Sequence, residues 1–324
     1  VRVLVLHSDV AGDATPDEID TLLTSRAIAA ALNDLGHDAE LQPVPADLNG
    51  LAHALCRTDF GIVFNMVERF CGQDCLAAAI PAVLDTLGIA YTGSGAATIA
   101  LAADKPATKR ILRAAGLPTP DWVEPPAWGD LGDGISCIVK SATEDASLGL
   151  EDASVVRGKA AMEARIQACR RLHGGRWFAE AFVEGREFNV AVLEDDGMPL
   201  VLPIQEMRFC NWPGDKPQIL SYRAKWDEES GECAGTLRHF GVEREEPALA
   251  ARLSKLARDS WRLLGIRGYV RVDVRVDELG SPHILELNPN PCLDPESGFA
   301  IAAGQAGLSY AQLITRLLES GLQR

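Results

Sequence analysis

A chain of 324 residues is long for one hydrophobic core and predicts two or three domains, and a hydrophobic content of 47% supports full folding. Its 46 acidic and 31 basic residues give a net charge of −15, which argues against nucleic acid or an anionic membrane as the main partner. The eight cysteines form no C-x-x-C pair, so reduced thiols are expected rather than a disulfide frame or a zinc site.

The chain opens in the buried-type strand Val1-Arg-Val-Leu-Val-Leu6 with no basic leader before it, and no apolar run approaches spanning length, which gives the expectation of a cytoplasmic protein. A helix enters through Pro16-Asp17-Glu18 and ends near 35–37, with Leu22, Leu23, Ile28, Ala31, Leu32 and Leu35 as its apolar face. Strands over 38–44 and 60–67 complete alternating β and α units, hence a parallel sheet with helices on it. Ligands bind at the carboxyl ends of such strands, which draws attention to Glu18 and to Glu68. By itself Glu18 reads equally as an acid stabilised at a helix N-terminus.

A helix over 77–87, a short strand and the turn Gly93-Ser94-Gly95 follow, then a helix over 98–115 carrying Asp104-Lys105 and Lys109. A proline-rich connection over 116–120 leads into a second, smaller domain. There a strand over 135–140 ends in Lys140, before a small, polar loop over 141–149. A strand-end lysine is ordinarily solvated, yet before such a loop its point charge could neutralise phosphate oxygens. The absence of G-x-x-x-x-G-K-[ST] excludes a P-loop. Glu180 and Glu187, spaced E-x-x-x-x-G-x-E, read by themselves as ordinary surface acids. Strands over 189–202 turn at Glu194-Asp-Asp-Gly197, a segment over 219–226 carries Lys225 and Trp226, and amphipathic helices cover 247–264 and 308–322.

Between those helices, 269–288 reads as a β-hairpin. Val270, Val272, Val274 and Val276 alternate with polar residues, so Arg271 and Asp273 share a face. If Asp277 pairs with Pro282, Asp273 lies opposite Glu286 and Arg271 opposite Asn288. Facing carboxylates repel, and two carboxylates with a carboxamide are an oxygen set that suits Mg²⁺. The bland alternative is a solvated edge hairpin, with Arg271 a structural cation pairing the acids. Pro289-Asn290-Pro291 then ends the strand beside the acids.

Arg271-x-Asp273, Glu286-x-Asn288, the hinge around Glu180 and Glu187 and the stretch Leu87-Gly-Ile-Ala-Tyr-Thr-Gly-Ser-Gly95 together resemble the ATP-grasp ligases, nearest to the D-alanine–D-alanine ligase branch. The resemblance implies an α/β fold, α+β in the ATP-grasp part, in three domains: an N-terminal parallel-sheet substrate domain over 1–96, a small central lid over 97–182 and a C-terminal catalytic domain over 183–324. It implies ATP and Mg²⁺ (or Mn²⁺) as cofactors, with Asp273, Glu286 and Asn288 on the metal. Nucleotide contacts would come from Lys105, Lys140, Ser147, Glu180, Val183, Glu187 and Lys225. On the substrate side stand Glu18, aligned by counting back from Ser25 with the glutamate that holds the first amino group, and Glu68, Gln73, Trp226, Arg271, Asn290 and Ser297. Arg271, Glu18 and Ser297 would serve catalysis.

The implied reaction joins a carboxylate to an amine through an acylphosphate, on small molecules such as amino acids, with a symmetric homodimer a common assembly. Departures fall on the substrate side: Ala146 and Trp226 stand where the family has serine and tyrosine, Glu68 and Gln73 replace His and Glu, and Cys292 replaces glycine. These give the expectation that D-alanyl-D-alanine is not the preferred product and that an extra acid favours a cationic substrate. The alternatives are an L-amino-acid dipeptide ligase, a ligase of a non-amino-acid carboxylate, and an ATP-binding regulator without turnover.

Overall fold

The computed structural model describes residues 1–10, 14–56, 59–126, 131, 134–144, 147–214, 216–227 and 229–323. The first part holds β1 (Arg2–His7), α1 (Pro16–Asp34), β2 (Asp38–Pro43), α2 (Leu48–Cys56), β3 (Ile62–Met66), α3 (Ala79–Leu87), α4 (Ala96–Ala103) and α5 (Lys105–Ala114). Its sheet is parallel in the order β2-β1-β3, with Val3 paired to Ala39 and Ile62. Period 2 sends Val3 and Val5 to one core with Ile28 and Leu32, and Leu4 and Leu6 to another with Leu51 and Leu84.

Three expectations need correction here. The buried face of α1 begins with Thr21, Thr24 and Ser25 before Ile28 and Leu32, whereas Leu23 and Leu35 are exposed, because the first half of the helix borders a polar cavity. The strand expected after Gly88 is a single bridge between Val63 and Tyr91. The helix expected over 98–115 breaks into α4 and α5 at Asp104, whose side chain caps α5 by accepting from Ala107 N at 2.9 Å, with Pro106 in the first turn. That break turns Lys105 inward, leaving it 7% exposed.

The central part holds β4 (Trp122–Val123), β5 (Ser136–Ser141), β6 (Val155–Arg157), α6 (Lys159–His173) and β7 (Trp177–Ala181). Its antiparallel sheet, β4-β7-β5-β6, packs Val139 and Ala179 on Met162 and Ile166 of α6. Beyond it come β8 (Gly185–Asp195), β9 (Met198–Val201), β10 (Gln205–Phe209), α7 (Tyr222–Trp226), α8 (Gly231–Gly235), β11 (Thr236–Phe240), α9 (Val242–Glu245), α10 (Pro247–Leu264), β12 (Tyr269–Asp277), β13 (Pro282–Asn288), α11 (Gly298–Gln305) and α12 (Tyr310–Leu322). The largest sheet runs β11-β10-β8-β12-β13, with β9 beside β8. Val270, Val272 and Val274 face α10, packing with Leu253 and Trp261. The other face gives Tyr269 to the core shared with α11 and α12, and gives Arg271, Asp273 and Arg275 to the cavity.

The β12–β13 pairing is off by one at its tip, where Val276 rather than Asp277 faces Pro282. An irregularity between Asp273 and Val274 restores the expected register, so Asp273 opposes Glu286 and Arg271 opposes Asn288. The Gly93-Ser94-Gly95 turn is a docking joint. Ser94 Oγ accepts from Arg267 N at 3.1 Å, and a Cβ on Gly268 would lie 3.0 Å from Gly93 Cα.

Candidate active site

A cavity of about 830 Å³ opens where the three sheets meet. Its floor is the polar face of the largest sheet. Asp273 Oδ1 accepts from Arg271 Nε at 2.7 Å and Oδ2 from Nη2 at 2.9 Å, the pairing that a structural cation would make. Burial raises the Asp273 carboxyl against the pull of Arg271. Opposite it, Glu286 keeps one edge open to the cavity, with Lys105 Nζ at 3.7 Å. Burial alone would raise Glu286, yet Lys105, Lys140, Lys225 and Arg271 together bring it down to about 2. One acid of the facing pair is thus firmly ionised beside the other, the electrostatic setting in which a cation relieves the conflict. Asn288 Oδ1 accepts from Asn290 N at 2.9 Å, and Asn290 in turn donates to Val67 O at 3.3 Å, tying the exit loop to the N-terminal sheet.

Among the described residues no three His, Cys, Asp or Glu side chains form a metal-binding group. The set is two carboxylates and a carboxamide, hard oxygen donors that fit Mg²⁺ or Mn²⁺ completed by water and phosphate oxygens.

The lysines stand over this floor. Glu180 is 1% exposed between Lys109 Nζ at 2.5 Å and Lys140 Nζ at 2.6 Å. Burial would raise Glu180, but the two ammonium groups outweigh it and hold its carboxyl below the usual range. Glu180 is therefore not an exposed acid: it fixes Lys140 at the cavity wall. Lys109, not expected as a contact, is one helical turn from Lys105 and buried with it. Glu187 is buried too, with Arg275 Nη1 at 3.9 Å, and burial raises its carboxyl. Arg275, which the sequence reading missed, donates to Gln218 O and to Gly185 O, both at 2.9 Å, fixing the hinge beside Val183. Ser147 lines the cavity and donates its hydroxyl to Leu220 O at 2.9 Å, tying the loop to the segment before α7. Lys225 lines the cavity from α7, beside Trp226.

The substrate side departs most from expectation. Glu18 closes a capping box, accepting from Thr15 N at 2.9 Å, and its other oxygen accepts from Arg69 Nη1 at 2.7 Å. The Thr15 N–H, and with it Arg69, holds the Glu18 carboxyl below the usual range. Arg69 also donates to Asp74 Oδ1 at 2.8 Å and lies 4.0 Å from Glu144, so a cation sits among the acids where only an added acid was expected. Glu68 lines the cavity and accepts from Thr21 Oγ1 at 3.3 Å. Gln73 is exposed and outside the cavity, because the turn over 70–73 points it away and brings in Asp74 instead. Ser297 caps α11, accepting from Ala300 N at 3.4 Å, at the cavity rim. Cys292 Sγ donates to Asp20 Oδ2 at 3.2 Å. Ala146 lies outside the described residues. Tyr222, four residues before Trp226, donates to Asp17 Oδ1 at 3.0 Å and links α7 to α1.

The family model for the D-ala D-ala ligase C-terminus matches residues 132–319. A D-alanine–D-alanine ligase from Desulforudis audaxviator is 34% identical over 313 residues, 94% of each chain, and one from Halorhodospira halophila is 33% identical, covering 99% of this chain and 96% of its own. A D-alanine–D-alanine ligase from Bacillus anthracis, solved in complex with ATP, superposes with a TM-score of 0.76 at 22% identity, covering 99% of this chain and 97% of that one. The fold built above is that of these ligases, and the matches run through every strand carrying the paired acids. The chain belongs to the D-alanine–D-alanine ligase family of ATP-grasp enzymes, ATP-dependent ligases that join a carboxylate to an amine.

Proposed function

We propose that the protein joins two molecules of D-alanine, with the segments 1–96, 97–182 and 183–324 as its working domains. The observation that carries the ligase chemistry is the cavity in which Asp273 and Glu286 face Lys105 and Lys140. The names of relatives matching nearly the whole chain support the choice of substrate. One carboxylate oxygen of the first substrate attacks the γ-phosphorus of ATP, and ADP leaves with the bridging oxygen. The amine of the second adds to the acylphosphate carbon, and phosphate departs with that carboxylate oxygen. Lys105, Lys140 and Lys225 offset charge on the phosphoryl oxygens, and Glu187 accepts from the ribose hydroxyls. Asp273, Glu286 and Asn288 would hold a divalent cation, which would supply further charge neutralisation. Arg271 steadies the tetrahedral oxyanion, and Ser297 at the rim receives the second carboxylate.

A second reading keeps the expectation that a larger or cationic amino acid replaces one D-alanine. Glu68 on the cavity wall and Trp226 on the cover favour it. The test is kcat/KM for ADP release over pairs of D-, L- and basic amino acids and simple amines. D-alanine with itself as the best pair supports the first reading, and a basic or larger residue as best overturns it in favour of the second. No ADP release with any carboxylate and amine would leave only a nucleotide-binding role.

A further inference from the structure

The facing acids are one end of a longer polar row. The ladders set Gln205 of β10 opposite Asn189 of β8, Asn189 opposite Asp273 of β12, and Asp273 opposite Glu286 of β13. All four side chains line the cavity. Asn is a poor strand former, and its neighbours Phe188 and Val190 show what the same strand buries on its other face.

The polarity of the row is set by the acid. A carboxylate only accepts, so Asn189 turns Nδ2 to Asp273 Oδ1, at 2.8 Å. Its Oδ1 then faces Gln205, which donates from Nε2 at 3.1 Å. Among the described residues Gln205 Oε1 is left buried without a donor, against Gly298, where a Cβ would lie 2.7 Å away. Folding alone does not favour such an acceptor. Arg271 covers both oxygens of Asp273, whereas Asn189 reaches across from the next strand and takes Oδ1 alone.

We infer that Asn189, itself held by Gln205, is a positioning residue for Asp273: together with Arg271 it holds the carboxylate in one orientation for a divalent cation. In this role Asn189 acts through Asp273. The inference rests on the metal reading of Asp273 and Glu286, and its test separates the two.

Mn²⁺ is titrated by calorimetry into the full chain holding a non-hydrolysable ATP analogue, for Asn189→Leu, Gln205→Leu, the double variant and Glu286→Gln. Asn189→Leu is expected to weaken Mn²⁺ about tenfold and Gln205→Leu about threefold, the range for partners that orient a metal ligand. The double variant is expected to be no weaker than Asn189→Leu alone, since both act through one chain of hydrogen bonds. Mn²⁺ affinity of Asn189→Leu within about twofold of the parent, while Glu286→Gln loses the metal, overturns the positioning role and leaves the metal reading standing. Unchanged Mn²⁺ affinity in Glu286→Gln overturns both. Should Asn189→Leu fail to fold, Gln205→Leu decides alone: its loss of affinity supports the role, and an unchanged value overturns it.

Discussion

Glu180 shares its two oxygens between Lys109 and Lys140 in the interior. Removing one partner of a buried ion group leaves charge uncompensated, so Glu180→Leu is expected to destabilise the fold by about 3–5 kcal/mol in denaturant unfolding. A loss under about 1 kcal/mol would return Glu180 to the ordinary surface acids. Its depressed carboxyl also fixes a pH dependence: the stability it contributes is fully present above the unfolded glutamate value of about 4.3 and is lost as pH falls through the folded one. The stability difference between the parent and Glu180→Gln is therefore expected to be flat above about pH 5 and to shrink below it. Lys140→Ala should weaken ATP by about 1–3 kcal/mol in calorimetry, the scale of one charge-assisted bond. Glu286→Gln is expected to abolish ADP formation with the fold intact, because an amide lacks the charge a divalent cation requires. Near-normal ADP production at saturating Mg²⁺ would sink the metal assignment.

Among the elements, the β12–β13 hairpin was the most legible, since valines at every second place fix which residues face the cavity. Even there the tip slipped by one residue, because an irregularity at Asp273 and Val274 leaves no mark in an alternating sequence. The α4–α5 break was written in Asp104-Lys105-Pro106 but was hidden by continuous helical periodicity on both sides. The small, polar loop over 141–149 was legible as a feature, but its ties to α7 and α1 were not. Ser147 holds Leu220 O, Tyr222 N donates to Leu150 O at 3.0 Å, and the Tyr222 hydroxyl reaches Asp17. Loop and α7 are therefore stitched together and latched to α1. Tyr222→Phe keeps the packing and removes the latch, so KM for the amino acids is expected to rise about threefold to tenfold with little change in melting temperature, the scale of one hydrogen bond of about 1 kcal/mol. Unchanged steady-state constants would show that the cover closes by other contacts.

At the scale of the whole molecule, the three-sheet architecture could be read because each part has its own period and punctuation. The residues that escaped, Arg69, Arg275, Asn189 and Gln205, take their meaning from partners on other elements. Tyr222 and Asp17 are 205 positions apart, a pairing no local pattern reports. One cavity joins all three sheets, and in the proposed mechanism the paired acids, the lysines and the latched segment would act together in transferring a phosphoryl group to a carboxylate. That transfer leaves an isotopic trace. With D-alanine carrying ¹⁸O in both carboxylate oxygens, each turnover is expected to move one ¹⁸O atom into the released phosphate, in step with ADP and dipeptide. Phosphate free of ¹⁸O, or label appearing in AMP instead, would contradict the acylphosphate route and with it the role given to the facing acids.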